Sequence, residues 1–452
     1  MKFKIYFFLI LLSFSAILKA QTPEQRYFEW TELAFSKQEL ENRRAKLIKN
    51  FENEGKTGLV VIPARDGFSY GETFRQLDNF YYFTGLELPN SLMVVDISKK
   101  TTVIYTPKED LRFKSTSRPN DFPGRPLLMD KAIAAKSGVH LQAISDFSAF
   151  MDKKAEEESI IYIDNGRQGE INFGSDEYFA SPTPVQILVN ALRAKHQGLK
   201  FENMYTAIAR TRMVKSSSEI EIMRKTTQIN ITGIKTAAKT IKAGVDERYL
   251  EGVLEGNYKV NGAHRLAFGS IIKSGPNSLW PWRILATHYN RRNRNMEDGD
   301  MVIFDVGCEY KNYVSDVGRT FPVSGKFTKK QKEILTMEVA IADQIIAFIK
   351  PGITFADIKE LTDEIIPKEA KKYMQVGLFF GHHLGLSTGD PNLSDAQLQP
   401  GMIFTVEPWY YNHDDQISVF TEDVILVTEK GCEVLSKDLP RTPSDLENLM
   451  KE

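Results

Sequence analysis

The chain has little that could brace it covalently, with two cysteines, Cys308 and Cys432, in 452 residues. That excludes a disulfide scaffold, and the pair lacks the spacing of a thiolate metal site. Neither sign of charge prevails: 58 Lys and Arg against 59 Asp and Glu leave a net charge of −1. A chain so balanced shows no electrostatic footprint for nucleic acid or an anionic bilayer. Long apolar runs are lacking as well. Ile5–Leu12, extending weakly to Leu18, falls short of the ~20 residues that span a bilayer. Preceded by Lys2 and Lys4 and ending at Ala20 before Gln21-Thr22-Pro23, residues 1–20 read instead as a secretory signal peptide. Cleavage after Ala20 removes three lysines and no acid, moving the net charge from −1 to −4. The expectation is an exported protein, periplasmic or secreted, without stable membrane insertion after cleavage and stabilised by burial.

The length is too great for one ordinary core, and two domains are expected, 21–200 and 201–452. Residues 24–54 read as a helix ending near Gly55. Strand-like runs follow at 58–62, 79–85 (NFYYFTG), 91–97, 101–106 and 160–164, and their alternation with helical stretches indicates an α/β domain. The polar stretch KHQGLKFEN, 195–203, reads as a linker. Beyond it, SSSE at 216–219 offers a capping box, Ser216 with Glu219 or Ser218 with Glu221, before a helix running to about Lys242.

The second domain repeats itself. IKAGVDERYLEGVL (241–254) resembles IKPGITFADIKELT (349–362), and DGDMVIFDVG (298–307) resembles QPGMIFTVEP (399–408), in the same order. An internal duplication is expected. In the first copy a turn centred between Tyr310 and Lys311 would place Asp305 directly opposite Asp316. In the second, a turn centred between Asp414 and Asp415 would oppose Glu407 to Glu422. Cross-strand partners stand roughly 4.5–5.5 Å apart at Cβ, where like charges destabilise unless a cation or a shared proton lies between them. With the copies related by a pseudo-twofold axis, four carboxylates would converge. Their charge balances two divalent ions, and an oxygen-rich set suits a manganese-like ion. His382 and His383, in FFGHHLGLSTGD, offer one imidazole ligand; in an extended strand the two point to opposite faces.

These segments resemble the proline-specific metallopeptidases of the pita-bread fold: aminopeptidase P, with prolidase as kin. ETFRQLDNFYYFTGLELP (72–89) is similar to that family's N-terminal domain. FDVGCEYKNYVSDVGRTFPVSGKFT (304–328), HHLGL, TVEPWYY and FTEDVILVT are similar to its ligand motifs. The resemblance implies an α/β N-terminal domain, an α+β pita-bread catalytic domain, and two divalent ions, manganese first and zinc or cobalt as alternatives. It implies the ligands Asp305, Asp316, His382, Glu407 and Glu422, with Glu407 also acting as acid and base on a bridging water. His288 would contact the leaving group of a peptide with proline at its second position, and a homo-oligomer is expected. His383 would be a packing or rim residue.

The chain departs from the pattern at three places. Gly389 stands where the family has a histidine that bonds the tetrahedral intermediate, Leu378 where aminopeptidase P often has another, and Phe420 where an arginine is usual. SLWPWRIL (278–285) looks inserted before His288, so Arg283, Trp280 or Trp282 would line the substrate pocket. The expected activity is Xaa-Pro aminopeptidase. The alternatives are a Xaa-Pro dipeptidase and a metal-binding homologue with impaired turnover.

Overall fold

The computed structural model describes residues 31–67, 73–114, 123–128, 130–166, 182–279, 293–374 and 381–451. The expected signal peptide lies outside them. Helix α1, Lys37–Asn53, starts where the Ser36 hydroxyl accepts from the Glu39 amide, and it buries Leu40, Leu47 and Phe51 along one face. Gly55, with φ 65°, follows its end. Then come β1 (Leu59–Pro63), α2 (Asp78–Thr84), β2 (Leu92–Asp96), β3 (Thr101–Thr106), β4 (Glu109–Lys114) and β5 (Pro123–Pro126). After these lie α3 (Lys131–Ser137), β6 (His140–Ala143), α4 (Phe147–Glu156), β7 (Ile160–Ile163), α5 (Pro184–Lys195) and β8 (Lys200–Asn203). The order β6-β3-β2-β1-β7-β8 makes one six-stranded sheet among the described residues. It is antiparallel through β1, β2 and β3 and parallel at β3/β6, β1/β7 and β7/β8. Phe147 and Met151 of α4 and Val189 and Leu192 of α5 pack on Leu59, Val61 and Ile161, forming the α/β core.

Two expectations fail here. NFYYFTG is the helix α2, not a strand. Phe80, Tyr81, Tyr82 and Phe83 are all buried, so the segment carries no helical period to read. Gly85 in the left-handed region (φ 67°) ends it, its N–H donating to Tyr81 O. The expected linker holds the end of α5 and the strand β8. Its polar composition reflects the position of β8 at the sheet edge, where only Phe201 of its four residues is not exposed. The first unit ends at Tyr205 and the second begins at Thr206.

The second unit follows α6 (Tyr205–Arg212) with two similar halves. The first contains α7 (Ser217–Ala238), α8 (Glu247–Val260), β9 (Arg265–Leu266), β10 (Ile271–Ser274), β11 (Met301–Val306), β12 (Cys308–Tyr310), β13 (Tyr313–Val314) and β14 (Val317–Pro322). The second contains α9 (Lys329–Phe348), α10 (Phe355–Ile365), β15 (Ile403–Val406), β16 (Trp409–Asn412), β17 (Ile417–Phe420) and β18 (Asp423–Val427), with β19 (Cys432–Val434) and α11 (Pro443–Leu449) closing the chain. Capping boxes open α7 (Ser216 with Glu219) and α9 (Thr328 with Gln331). Gly244 (φ 84°) and Gly352 (φ 93°) take equivalent left-handed positions, their N–H groups donating to Met296 O and Leu398 O. The duplication is thus repeated in backbone conformation and in hydrogen bonding.

The first hairpin corrects the expected register. Lys311 (φ 50°) and Asn312 (φ 67°) are the two central residues of a tight turn with positive φ at both, the type I′ signature. The pairing that follows is Tyr310↔Tyr313, Glu309↔Val314 and, in the same register beyond Gly307, Asp305↔Gly318. Asp305 therefore does not face Asp316 directly. The second hairpin keeps the expected register: Val406↔Asp423 and Trp409↔Phe420 bracket Glu407 and Glu422.

The symmetry of the acids changes with it. Asp305 and Glu407 remain equivalent, but the counterpart of Glu422 is Gly318 and that of Asp316 is Phe420. The halves join where Gly318 and Glu422 exchange backbone bonds of 3.3 and 3.0 Å. A Cβ on Gly318 would lie 2.1 Å from the Phe420 ring, so any side chain there would have to displace that ring. Gly318→Ala is expected to cost about 1–3 kcal/mol in urea unfolding by overpacking. Adding Phe420→Leu should recover part of that loss in a double-mutant cycle.

Candidate metal centre

The strand ends and one short added segment build the site. His382–Leu384 pairs with β15: Thr405 N donates to His382 O (3.0 Å), Leu384 N to Ile403 O (3.0 Å), and His383 bridges to Phe404. Gly381, φ 71°, opens the segment against Thr405, whose Oγ1 would sit 1.9 Å from any Cβ there. The Thr405 hydroxyl accepts from the backbone N–H of His382 (3.1 Å) and donates to Glu407 Oε1 (3.2 Å), tying the main chain at one candidate ligand and the carboxylate of another to a single side chain.

Asp316, His382 and Glu422 present ligand atoms all within 4.8 Å of one another. His382 Nε2 lies 3.5 Å from Asp316 Oδ2 and 3.8 Å from Glu407 Oε1. Asp305, at the end of β11, joins through its charge: Glu422 is pushed well above the carboxylate range by burial and then by Asp316, Glu407 and Asp305. Burial raises Glu407 to about 7 against the pull of His382. Burial lowers His382, but Asp316 and then Glu407 outweigh it and hold the imidazole at about 9. Both Glu422 oxygens and Asp316 Oδ1 are buried without a hydrogen-bond partner. Such groups fit a cation, because each has lost its water and no donor among the described residues outside the cluster replaces it.

His383 takes the other face. It is 1 % exposed, packs edge-on against Phe355 (5.2 Å), and neither ring nitrogen has a partner. Burial and then Lys215 hold it at about 3, a neutral core residue. The segment after it is anchored by Asp390, which accepts from Arg212 (2.5 Å), Lys215 (3.0 Å) and Leu386 N (3.1 Å) and donates its own N–H to His383 O. Reasoning from the sequence missed this anchor and Thr405. The basic residues of ARTRMVK, just ahead of the α7 cap, were its one visible signal. Arg319 was missed too: fully buried, it donates to Gly318 O and Glu422 O (2.6 Å each) and to Asp423 (2.7 Å), clamping the junction of the halves.

Phe420 is fully buried and stacks on Trp409 with centroids 3.5 Å apart. Gly389 is exposed, and a Cβ placed on it would meet nothing within 4 Å among the described residues. His288, Arg283, Trp280, Trp282 and Leu378 lie outside the described residues.

Comparisons with known proteins give the site its context. Residues 221–429 match the model of metallopeptidase family M24 and residues 40–162 that of the aminopeptidase P N-terminal domain. The chain belongs to the aminopeptidase P family. It is 26 % identical to a Xaa-Pro aminopeptidase of Escherichia coli, over 92 % of this chain and 98 % of that one. With Xaa-Pro aminopeptidase 3 of Homo sapiens it shares 27 %, over 91 % and 85 % of the two chains. The structure of E. coli aminopeptidase P with the inhibitor Pro-Leu superposes with TM-score 0.73 at 25 % identity, covering 92 % of this chain and 98 % of that one. A zinc-substituted form of that enzyme in complex with product gives 0.72 at 25 %, with the same coverage. The fold is therefore the pita-bread fold with its N-terminal domain, and the chain is a hydrolase of the metallopeptidase class.

Asp390→Asn should leave Arg212 and Lys215 buried and incompletely paired and cost about 3–5 kcal/mol. Burial disfavours the charged form of Asp390, but Arg212 and Lys215 prevail and lower its pKa below the ordinary value. Its contribution is therefore present above the unfolded pKa and lost as pH falls toward the depressed folded one. Urea midpoints of wild type and variant should converge in acid and separate at neutral pH.

Proposed function

We propose that the chain hydrolyses the bond between an N-terminal residue and a following proline, with two divalent ions held by Asp305, Asp316, His382, Glu407 and Glu422. The observation that carries this reading is the convergence of buried, unpartnered carboxylate oxygens of Glu422 and Asp316 with His382 at the junction of the halves. The names of its relatives support the substrate class. Manganese is the metal this reading favours, because the ligand set is four carboxylates and one imidazole.

When bound, the ions supply Lewis acidity toward the carbonyl and a water acidic enough to lose its proton near neutrality. Glu407 is the residue this reading assigns to take that proton, its carboxylate lying 3.8 Å from His382 Nε2. It can then pass the proton to the departing proline nitrogen, which carries no hydrogen while the imide bond is intact. Thr405 holds that carboxylate in place. His288 would settle the proline side, with Arg283 and Trp282 lining the pocket. The same reading includes a mature chain beginning at Gln21, export to the periplasm or medium, and a homo-oligomer.

One observation favours reduced turnover. Gly389 is exposed, and among the described residues no atom lies within 4 Å of where its Cβ would stand, so no described side chain takes over the place of the family's histidine. Losing a donor to a developing oxyanion costs about 10² to 10³ in rate. The open space would admit an imidazole, and Gly389→His is expected to raise kcat by about tenfold or more.

The test is release of the first residue from Xaa-Pro tripeptides by residues 21–452 loaded with Mn2+, alongside a Xaa-Pro dipeptide and an Asp305→Asn control. Cleavage of the tripeptide in preference to the dipeptide, lost in the control, is expected. Bound metal without proline-dependent cleavage would overturn the substrate assignment.

A further inference from the structure

Helix α9 buries Ile334, Leu335, Val339, Ile341 and Ile345 and, in their midst, one carboxylate, Glu338. That side chain is wholly inaccessible, and neither oxygen completes a hydrogen bond. No basic group pairs with it among the described residues. The groups facing it are the hydroxyl and amide of Thr421, and its charge is felt by the Tyr411 phenol. The Thr421 and Tyr411 hydroxyls are themselves buried without a partner. Glu338 and Thr421 are thus two adjoining buried side chains with unused hydrogen-bonding capacity, in packing that is otherwise apolar.

A carboxylate without a cation cannot remain charged in such a place; burial drives the Glu338 pKa well above the ordinary value, with only Thr421 opposing. The neutral acid gains a donor, which an ionised one lacks. Thr421 immediately precedes Glu422 in the chain, and the Tyr411 phenol stands in the field of Asp305 and Glu407 as well as of Glu338.

We infer that Glu338 is a positioning residue of the metal centre. As a neutral carboxylic acid it donates to the Thr421 hydroxyl, holding the strand end from which the next residue, Glu422, projects. This role rests on the metal reading of Glu422 but not on the proline assignment. Partners at this remove from a metal typically tune affinity or activity by about 10- to 100-fold.

Glu338→Met, Glu338→Gln and Thr421→Val separate this role from plain packing. Methionine fills the space without polar atoms, and replacing an unpaired buried acid in this way is neutral or stabilising. Glu338→Met should therefore unfold at an equal or higher urea concentration, yet bind Mn2+ about 10- to 100-fold more weakly by calorimetry, with an altered visible spectrum of the Co2+ form. Thr421→Val should weaken Mn2+ binding in the same direction. Glu338→Gln keeps one donor and one acceptor and should stay within about threefold of wild type. Wild-type Mn2+ affinity and an unchanged Co2+ spectrum in Glu338→Met would overturn the inference. So would a folded Glu338→Gln as impaired as the methionine variant. Should Glu338→Met fail to fold, the other two variants decide by the same measurements. Wild type that binds no Mn2+ would instead reject the metal reading, and wild type that binds it but cleaves no peptide would reject only the substrate.

Discussion

Repulsion between buried acids is the constraint around which the second unit is organised. Asp316, Glu407 and Glu422 are held together where water cannot screen them, and each is made harder to ionise by its own burial. Among the described residues, one imidazole, His382, is the only ion-pair partner of the group. The surrounding structure must therefore hold these side chains against their own electrostatics, and it does so with backbone pairing and buried clamps rather than with counter-charges inside the cluster. Arg319 grips the carbonyls of Gly318 and Glu422, Thr405 binds both His382 and Glu407, and Asp390 ties down the segment after His383. The energy stored in the cluster is released when a cation enters it, which couples metal affinity to fold stability.

Much of this was legible from residue order. The duplication showed in repeated glycine-bearing and strand-like segments, and the second hairpin's register followed from counting outward from its turn. The first hairpin did not yield to counting, because Lys311 adopts a positive φ that its residue type gives no reason to expect. One position of turn displacement moved every pairing by two residues. That is why Asp316 looked like the partner of Asp305. The aromatic helix Asp78–Thr84 was misread for a related reason: a segment buried on all sides has no polar face to reveal its period.

Other parts were invisible because they depend on contacts between distant segments. Asp390 meets Arg212 and Lys215 across about 175 positions of chain, and no local pattern announces such a pairing. Glu338 gave no signal either, because a carboxylate on a helix reads as a solvent-facing charge until the elements packed around it are placed. His383 shows the opposite case: alternation along an extended strand correctly left it a packing or rim residue, and the structure settles it into the core beside Phe355.

The junction at Gly318 has a bearing on how such a chain could arise. If an ancestral half paired with a copy of itself, the axis would have to pass between two identical residues. A pair of first halves would bring two glycines together and offer no oxygen at that spot. A pair of second halves would drive two glutamates into the same space. In one polypeptide the two sides are free to differ, with bare Gly318 on one and the carboxylate of Glu422 on the other, an inequality that two identical halves could not carry.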